Sequence, residues 1–458
     1  MTNRDAIERQ LSLVDSTAII VGIIIGAGFY GMSPDIASLA GGPGRTLLAW
    51  LAGGVMALAG AMCYAELATA YPRQGGEYVY ITEAWGRFAG FQYAWAGFWI
   101  IRPASIGAMA MVFGTYAQEL VPGGRFGPMA YAMGLTVLLT ALNILGVQTG
   151  KWTQNLLTLV KVAALLAVFA VGFAMIGKAA PRPTTPPGFQ SFAVALILVM
   201  WTYGGWNEMP SVAAEVRRPE KNLLRALVLG TTATMAIYIA GTLAFFAALG
   251  YQGTAGSKAV AADVMRLAAG SAGQRLVSTL VAVSCMGAVN GLIFTGARVY
   301  YALGTEHRMY RWLGVWNPIT QTPLRALLVQ SLVGLAVIAL VGRSQGGFVR
   351  LANFTGPLFW LFLLLTGMAL FRLRYKDAGR EASYRVPFYP VLPAVFCASC
   401  AGMLYASLNY AVGHYAIDAW ITTGVVVGGV LAWLATNRPS AGSSGQSAFA
   451  GRNRRPGW

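Results

Sequence analysis

Apolar runs of about twenty residues recur along this chain from end to end, and a helix of that length spans the hydrocarbon core of a bilayer. Of its 458 residues 56% are apolar and only 11% charged, so the runs are too many and too long to be core helices of a water-soluble domain. Length, turn residues and flanking charge place twelve spans at 14–40, 46–70, 88–118, 128–147, 154–176, 190–214, 223–249, 275–303, 324–342, 350–371, 389–411 and 417–435. The fold class is an all-α polytopic membrane protein, because inside lipid a helix satisfies its own backbone groups.

The formal net charge of +17 would point to nucleic acid in a soluble chain. Its placement points elsewhere. With loops assigned alternately from a cytoplasmic N-terminus, 22 Lys and Arg fall inside and 9 outside, while Arg102 and Lys161 fall within spans. That bias follows the positive-inside rule and puts both termini in the cytoplasm of a cell-membrane protein, with basic loops against lipid. The start, "MTNRDAIERQL", carries Asp5 and Glu8 and no small-residue cleavage site after a short apolar run, so the first span is expected to stay. Residues 436–458 are Gly/Ser-rich and basic and read as a disordered tail. Cys63, Cys285, Cys397 and Cys400 all lie in spans, which gives no extracellular disulfide framework. The CxxC spacing of the last two has no second ligand pair nearby, so neither a metal nor a cofactor is expected.

Two spans break the helical rule. "GIIIGAGFYG", residues 22–31, spends four glycines in a membrane helix, at roughly 1 kcal/mol each relative to alanine. "VMWTYGGWNEMP" in the sixth span pairs Gly204 and Gly205 and follows them with Pro210. Either cluster alone is explained by close helix packing. Together they sit at matching places, the first helices of two five-helix halves at 14–176 and 190–371, which follow a short N-terminal segment, 1–13, and precede a final pair at 389–435. Such pairing points to an inverted-repeat transporter with its site at the midplane. Unwinding at Ile25, Gly26, Ala27 and Gly28 frees N–H groups at a half-helix start, where the positive dipole end favours a carboxylate. Unwinding at Tyr203, Gly204 and Gly205 frees carbonyls that accept from an ammonium group. One site offering both is complementary to an α-amino acid.

The chain resembles the amino acid-polyamine-organocation superfamily, and within it the L-type amino-acid transporter group, over residues 8 to 435. "GIIIGAGFY", "YAELATAYPRQGGEYVYITEAWG", "WIIRPAS", "WTYGGWN", "EVRRPEKNLLRAL", "SCMGAVNGLIFTGARVYYA" and "YRVPFYPVLP" follow in the family's order. The resemblance implies twelve helices in a five-plus-five inverted repeat, substrate at the breaks of helices one and six, and an aromatic at Trp201 that closes over it as a gate. It also implies that Lys161 reaches the unwound part of helix one and a hydroxyl on helix eight, best matched by Ser284, in the place sodium fills in sodium-coupled relatives. Members that handle cationic substrates commonly carry an aspartate at the position of Gly204 or Asn207. Neither is acidic here, which implies neutral substrates. Two departures stand out. Ala27 replaces a commoner serine, and the loop "QELVPGGRFGP" lacks the cysteine that links animal relatives to a heavy subunit, so no disulfide-linked partner is expected.

Other charged and polar residues are read individually. An ammonium group inside a span is costly unless paired, which makes Lys161 a functional candidate, with snorkelling as the plainer account. Arg102 is expected to find carbonyls or water, Glu66 and Glu77 to form loop ion pairs with Arg73 or Arg87, and Glu208 to face a vestibule or an ion pair. Asn207 and Asn290 are candidate pocket neighbours, Asn353 a further polar group near the core. The leading expectation is a sodium-independent exchanger of neutral amino acids working by alternating access. The alternative is a proton-coupled or cationic amino-acid transporter of the same superfamily. An enzyme is disfavoured: the only histidines, His307 and His414, lie near span ends, and no HExxH or phosphate-binding loop is present. A non-transporting sensor would need an output domain that this chain lacks.

Overall fold

The computed structural model describes residues 7–124, 127–176, 189–341, 347–377, 379, 383–414 and 416–436. The expected tail beyond Thr436 and the side chains of Asn353 and His414 lie outside what is described. Helices dominate: α1 (Leu13–Ile24), α2 (Gly28–Ala40), α3 (Pro43–Ala70), α4 (Glu77–Trp85), α5 (Arg87–Ala96), α6 (Arg102–Leu120), α7 (Gly127–Ile144) and α8 (Val147–Ala174), then α9 (Phe189–Thr202), α10 (Pro219–Ala255), α11 (Val260–Glu306), α12 (Leu324–Val341), α13 (Gly347–Lys376), α14 (Val391–His414) and α15 (Ala416–Thr436). Among the described residues the β-structure amounts to isolated bridges, Leu11 with Val216 and Asn317 with Thr322.

Eight described helices are long and apolar enough to cross a membrane, and the α1–α2 pair, bent by 52° at its break, makes a ninth. Helix α9 falls short of that length because it stops at Thr202, and a 3₁₀ segment, Trp206–Glu215, completes the sixth crossing. Both breaks therefore lie where the glycines are. Helix α1 starts with a capping box, in which Ser12 Oγ accepts from Asp15 N at 3.2 Å and the Asp15 carboxylate accepts from Ser12 N at 2.8 Å.

Several boundaries depart from the hydropathy reading. Helix α8 begins at Val147 rather than 154, because its polar first turns are held by the start of α1: Lys151 lies 3.4 Å from Asp15, and Asn155 donates to Asp15 at 2.6 Å. The expected loop after the second span contains α4. The third span is α5 and α6 joined by a π-turn, Gly97–Ile101, directly before Arg102 and Pro103. A proline ring clashes with the carbonyl four residues earlier, and the widened turn relieves it. The eighth span is preceded by further helix, kinked at Gly270, back to Val260.

Around the breaks the packing is specific. Helix α1 lies against α8, α10 and α11, and α2 lies against α9 and α10. Gly22 allows the α8 approach, since a Cβ there would sit 2.0 Å from Gln154 Nε2. Behind the breaks, Phe29 stacks on Tyr238 with ring centres 4.5 Å apart, and Trp50 and Tyr203 extend the aromatic cluster.

Candidate functional site

The first intrahelical bond of α2 runs from Gly31 N to Ala27 O, so the N–H groups before it have no partner within their helix. They form the positive end of a half-helix. At the second break α9 ends with Tyr203 N bonded to Val199 O, and the 3₁₀ segment opens with Glu208 N donating to Gly205 O. Gly205 has φ +126°, a left-handed conformation that glycine adopts without strain, and a Cβ there would strike Ile23 Cγ2 at 2.8 Å. The breaks thus touch. Tyr238 Oη lies 3.0 Å from Ile24 O and 3.3 Å from Thr202 O, so one hydroxyl reaches carbonyls of both.

Between the breaks lies a cavity of about 140 Å³, walled by Gly26 and Gly28 on one side and Trp201, Gly204, Gly205 and Asn207 on the other. Helices α6, α11 and α13 close the remaining sides, largely with apolar side chains. Trp201 sits over the start of α2, its Cζ3 3.4 Å from where a Gly28 Cβ would be. Of the expected pocket residues, these six line the cavity. Four others do not. Ile25 turns its carbonyl toward Lys161, and Ala27 is only 9% exposed, outside the wall. Tyr203 points away, donating to Trp50 O at 3.1 Å. Asn290 is wholly buried, accepting from Asn143 at 2.8 Å and donating to Gln154 Oε1 at 2.8 Å, and so ties α7, α8 and α11 together. It is a cross-link, not a pocket neighbour.

Lys161 is fully buried and spends its three donors on three backbone carbonyls: Gly22 O at 2.7 Å, Ile25 O at 2.8 Å and Ser284 O at 2.9 Å. Snorkelling is thereby replaced by an interior cation at the negative end of α1. The expectation about Ser284 needs correction. Its carbonyl, not its hydroxyl, meets Lys161, while the hydroxyl lies 3.4 Å from Tyr30 Oη. Gly287 provides the room, since a Cβ there would be 2.8 Å from Lys161 Nζ.

Glu208 forms an ion pair, one of its two expected placements, while the other charges pair differently from expectation. Arg102 meets a carboxylate rather than carbonyls: its Nη1 is bonded to Glu208 Oε2, which also accepts from Thr295 Oγ1 at 2.9 Å. Both residues of that pair are buried. Glu66 is gripped by Arg374 at 2.6 and 2.7 Å, Arg73 takes Glu83, and Glu77 lies buried in α4, accepting from Tyr64 at 2.7 Å and from Asn207 at 3.0 Å. Arg374 and Asn207 come from segments remote in sequence from Glu66 and Glu77, a separation that loop-by-loop reading cannot bridge. Because a carboxylate accepts, the Asn207 amide must turn its NH₂ to Glu77 and its oxygen away. At the same end of the bundle Arg298 makes two bonds of 2.8 Å to Glu215, which accepts from Gln74 at 2.6 Å. Leu11 N donates to Glu215 O and Arg217 N to Leu11 O, so the segment before α1 is laced to the segment after the second break.

A helical membrane fold with two crossings opened at one shared cavity is that of a secondary transporter. The chain belongs to the amino acid permease family, whose sequence model matches residues 11–431. It is similar to the b(0,+)-type amino acid transporter 1 of Mus musculus, 28% identical over 84% of this chain and 80% of that one. It is similar to the serine/threonine exchanger SteT of Bacillus subtilis, 27% identical over 89% and 93%. The human cystine/glutamate transporter is 30% identical over 88% of this chain and 81% of its own. The protein is thus an amino-acid transporter of the amino acid-polyamine-organocation superfamily.

Proposed function

We propose that the protein is a sodium-independent transporter or exchanger of neutral α-amino acids, working by alternating access around the cavity between the two breaks. The observation that carries this reading is the shared cavity itself, with a half-helix N-terminus at Gly28 and the carbonyl end of α9 at Thr202 on its opposite sides. The substrate carboxylate lies on the first, its amino group on the second, and Trp201 closes over it. Lys161 supports sodium independence: its ammonium already fills a cage of three carbonyls, including the unwound end of α1, which is the ligand chemistry a sodium ion would need. Neutral selectivity is supported by the cavity charges, since the Glu208 carboxylate is offset by Arg102. The names of the similar proteins, which include an exchanger, accord with exchange.

In this reading the charged face laced by Leu11, Glu215 and Arg298 is the cytoplasmic one, with both termini there. The same pair of breaks would admit a proton-coupled importer, and a cavity-lining Glu208 favours cationic substrates, were it not neutralised. Counterflow in proteoliposomes separates these readings. Alanine is expected to exchange equally in sodium and in choline and without a pH gradient, and Lys161→Ala to abolish transport. Full activity of Lys161→Ala removes the sodium-substitute argument. Competition only by lysine, arginine or amines overturns the neutral reading.

A further inference from the structure

The cavity wall carries a charged side chain that a neutral-substrate reading does not require. Glu208 lines it and is 7% exposed. One of its oxygens, Oε2, is committed to Arg102 of α6 and lies 2.9 Å from the Thr295 hydroxyl of α11, whose single proton it shares with Gly291 O at the same distance. The other, Oε1, takes no donor from the described residues. A carboxylate has about four acceptor sites, so Oε1 retains its full capacity. Next to it Asn207 commits its NH₂ to Glu77, which leaves its carbonyl oxygen without a described partner. The hydroxyls of Ser105 and Thr202, also in the wall, donate back into their own helices, to Ile101 O at 2.7 Å and Leu198 O at 2.8 Å. The floor therefore presents acceptors. Arg102 stands behind Glu208, outside the wall, and compensates its charge.

We propose that Glu208 determines specificity for the substrate side chain, selecting neutral amino acids that carry a hydrogen-bond donor, a hydroxyl or an amide, over aliphatic ones of the same shape. The inference rests on the zwitterion reading above. A hydroxyl or amide reaching the floor gains a bond to an ionised acceptor, which is stronger than one between neutral groups. An aliphatic side chain strips water from Oε1 and returns nothing, and that unpaired buried acceptor is the basis of discrimination. A cationic side chain gains less than it would from a bare carboxylate because Arg102 already holds the pair neutral. An acidic one meets oxygen facing oxygen.

Threonine and valine match in shape and differ by one hydroxyl, which makes them the probe. In counterflow by the reconstituted full chain, threonine is expected to compete roughly ten- to hundredfold better than valine, and asparagine better than leucine. Removing Glu208 alone would strand Arg102, so the informative variant removes both charges: Arg102→Leu with Glu208→Leu should bring the threonine-to-valine ratio to about one. Glu208→Gln must turn its carbonyl oxygen to Arg102 and its NH₂ to the cavity, so it should lose the threonine preference as well. A wild-type ratio near one, with alanine and other neutral amino acids still competing, overturns this inference and leaves the neutral-substrate reading standing. A double variant that transports with the wild-type ratio also overturns it. If no neutral amino acid competes, both readings fail together.

Discussion

At the scale of single residues, Lys161 shows how a buried charge is tolerated. Removing an ammonium bonded to three carbonyls leaves three acceptors dry, at about 1–3 kcal/mol each, which is why Lys161→Ala is a severe change. Gly287 offers a gentler probe of the same contact, because a methyl group there would arrive 2.8 Å from Nζ and 3.0 Å from Cε, and the lysine end must move. Gly287→Ala is expected to cut initial uptake about tenfold while lowering thermal stability less than Lys161→Ala does, a comparison read by uptake and by melting in detergent. Wild-type uptake in Gly287→Ala would mean that the ammonium position has no bearing on transport. Much of this site was legible. Glycine clusters, a lysine in an apolar run and an aromatic before the break each violate a rule of membrane helices, and such violations are visible in one dimension. What stayed hidden were partners: that Ser284 offers its carbonyl, that Arg102 meets Glu208, that Asn290 looks away from the cavity. Each depends on how helices rotate about their axes, which hydropathy does not encode.

At the scale of elements, the 3₁₀ segment Trp206–Glu215 has the cavity at one end and a buried ion pair at the other. Its last residue, Glu215, is 1% exposed and holds Arg298, which is fully buried. Truncating one partner of such a pair leaves an uncompensated charge, so Glu215→Ala is expected to cost about 3–5 kcal/mol, seen as a lowered melting midpoint. Replacing both, Arg298→Met with Glu215→Leu, should recover most of that loss. Failure of the double variant to recover would show that Gln74 and the Leu11 backbone, rather than charge, hold this end of the segment in place. The span boundaries were legible to within a few residues where lipid-facing apolar residues ran up to a turn, as in α3 and α12. They failed at α8, where polar turns are helical because Asp15 pairs with them, and at α11, where a kink at Gly270 joins a further helical piece to the span. Helix α4 was missed for a related reason: Glu77 within it is buried and bonded, while in sequence it reads as a loop charge.

At the scale of the whole molecule, the basic residues bear on how the chain sits in the bilayer, and orientation can be tested directly. A reagent-reactive tag at the N-terminus is expected to be labelled from the cytoplasmic side only, in intact cells compared with inverted vesicles, and labelling from outside would invert the assignment of the sealed face. That face is tied across a long stretch of chain. The bridge between Leu11 and Val216, two backbone bonds beside the Arg298–Glu215 pair, interlocks the approach to the first crossing with the exit from the sixth. In the proposed alternating cycle such a clasp is expected to let go as a unit, leaving partly ajar forms scarce and small ions little chance to leak through while the carrier turns over its cargo.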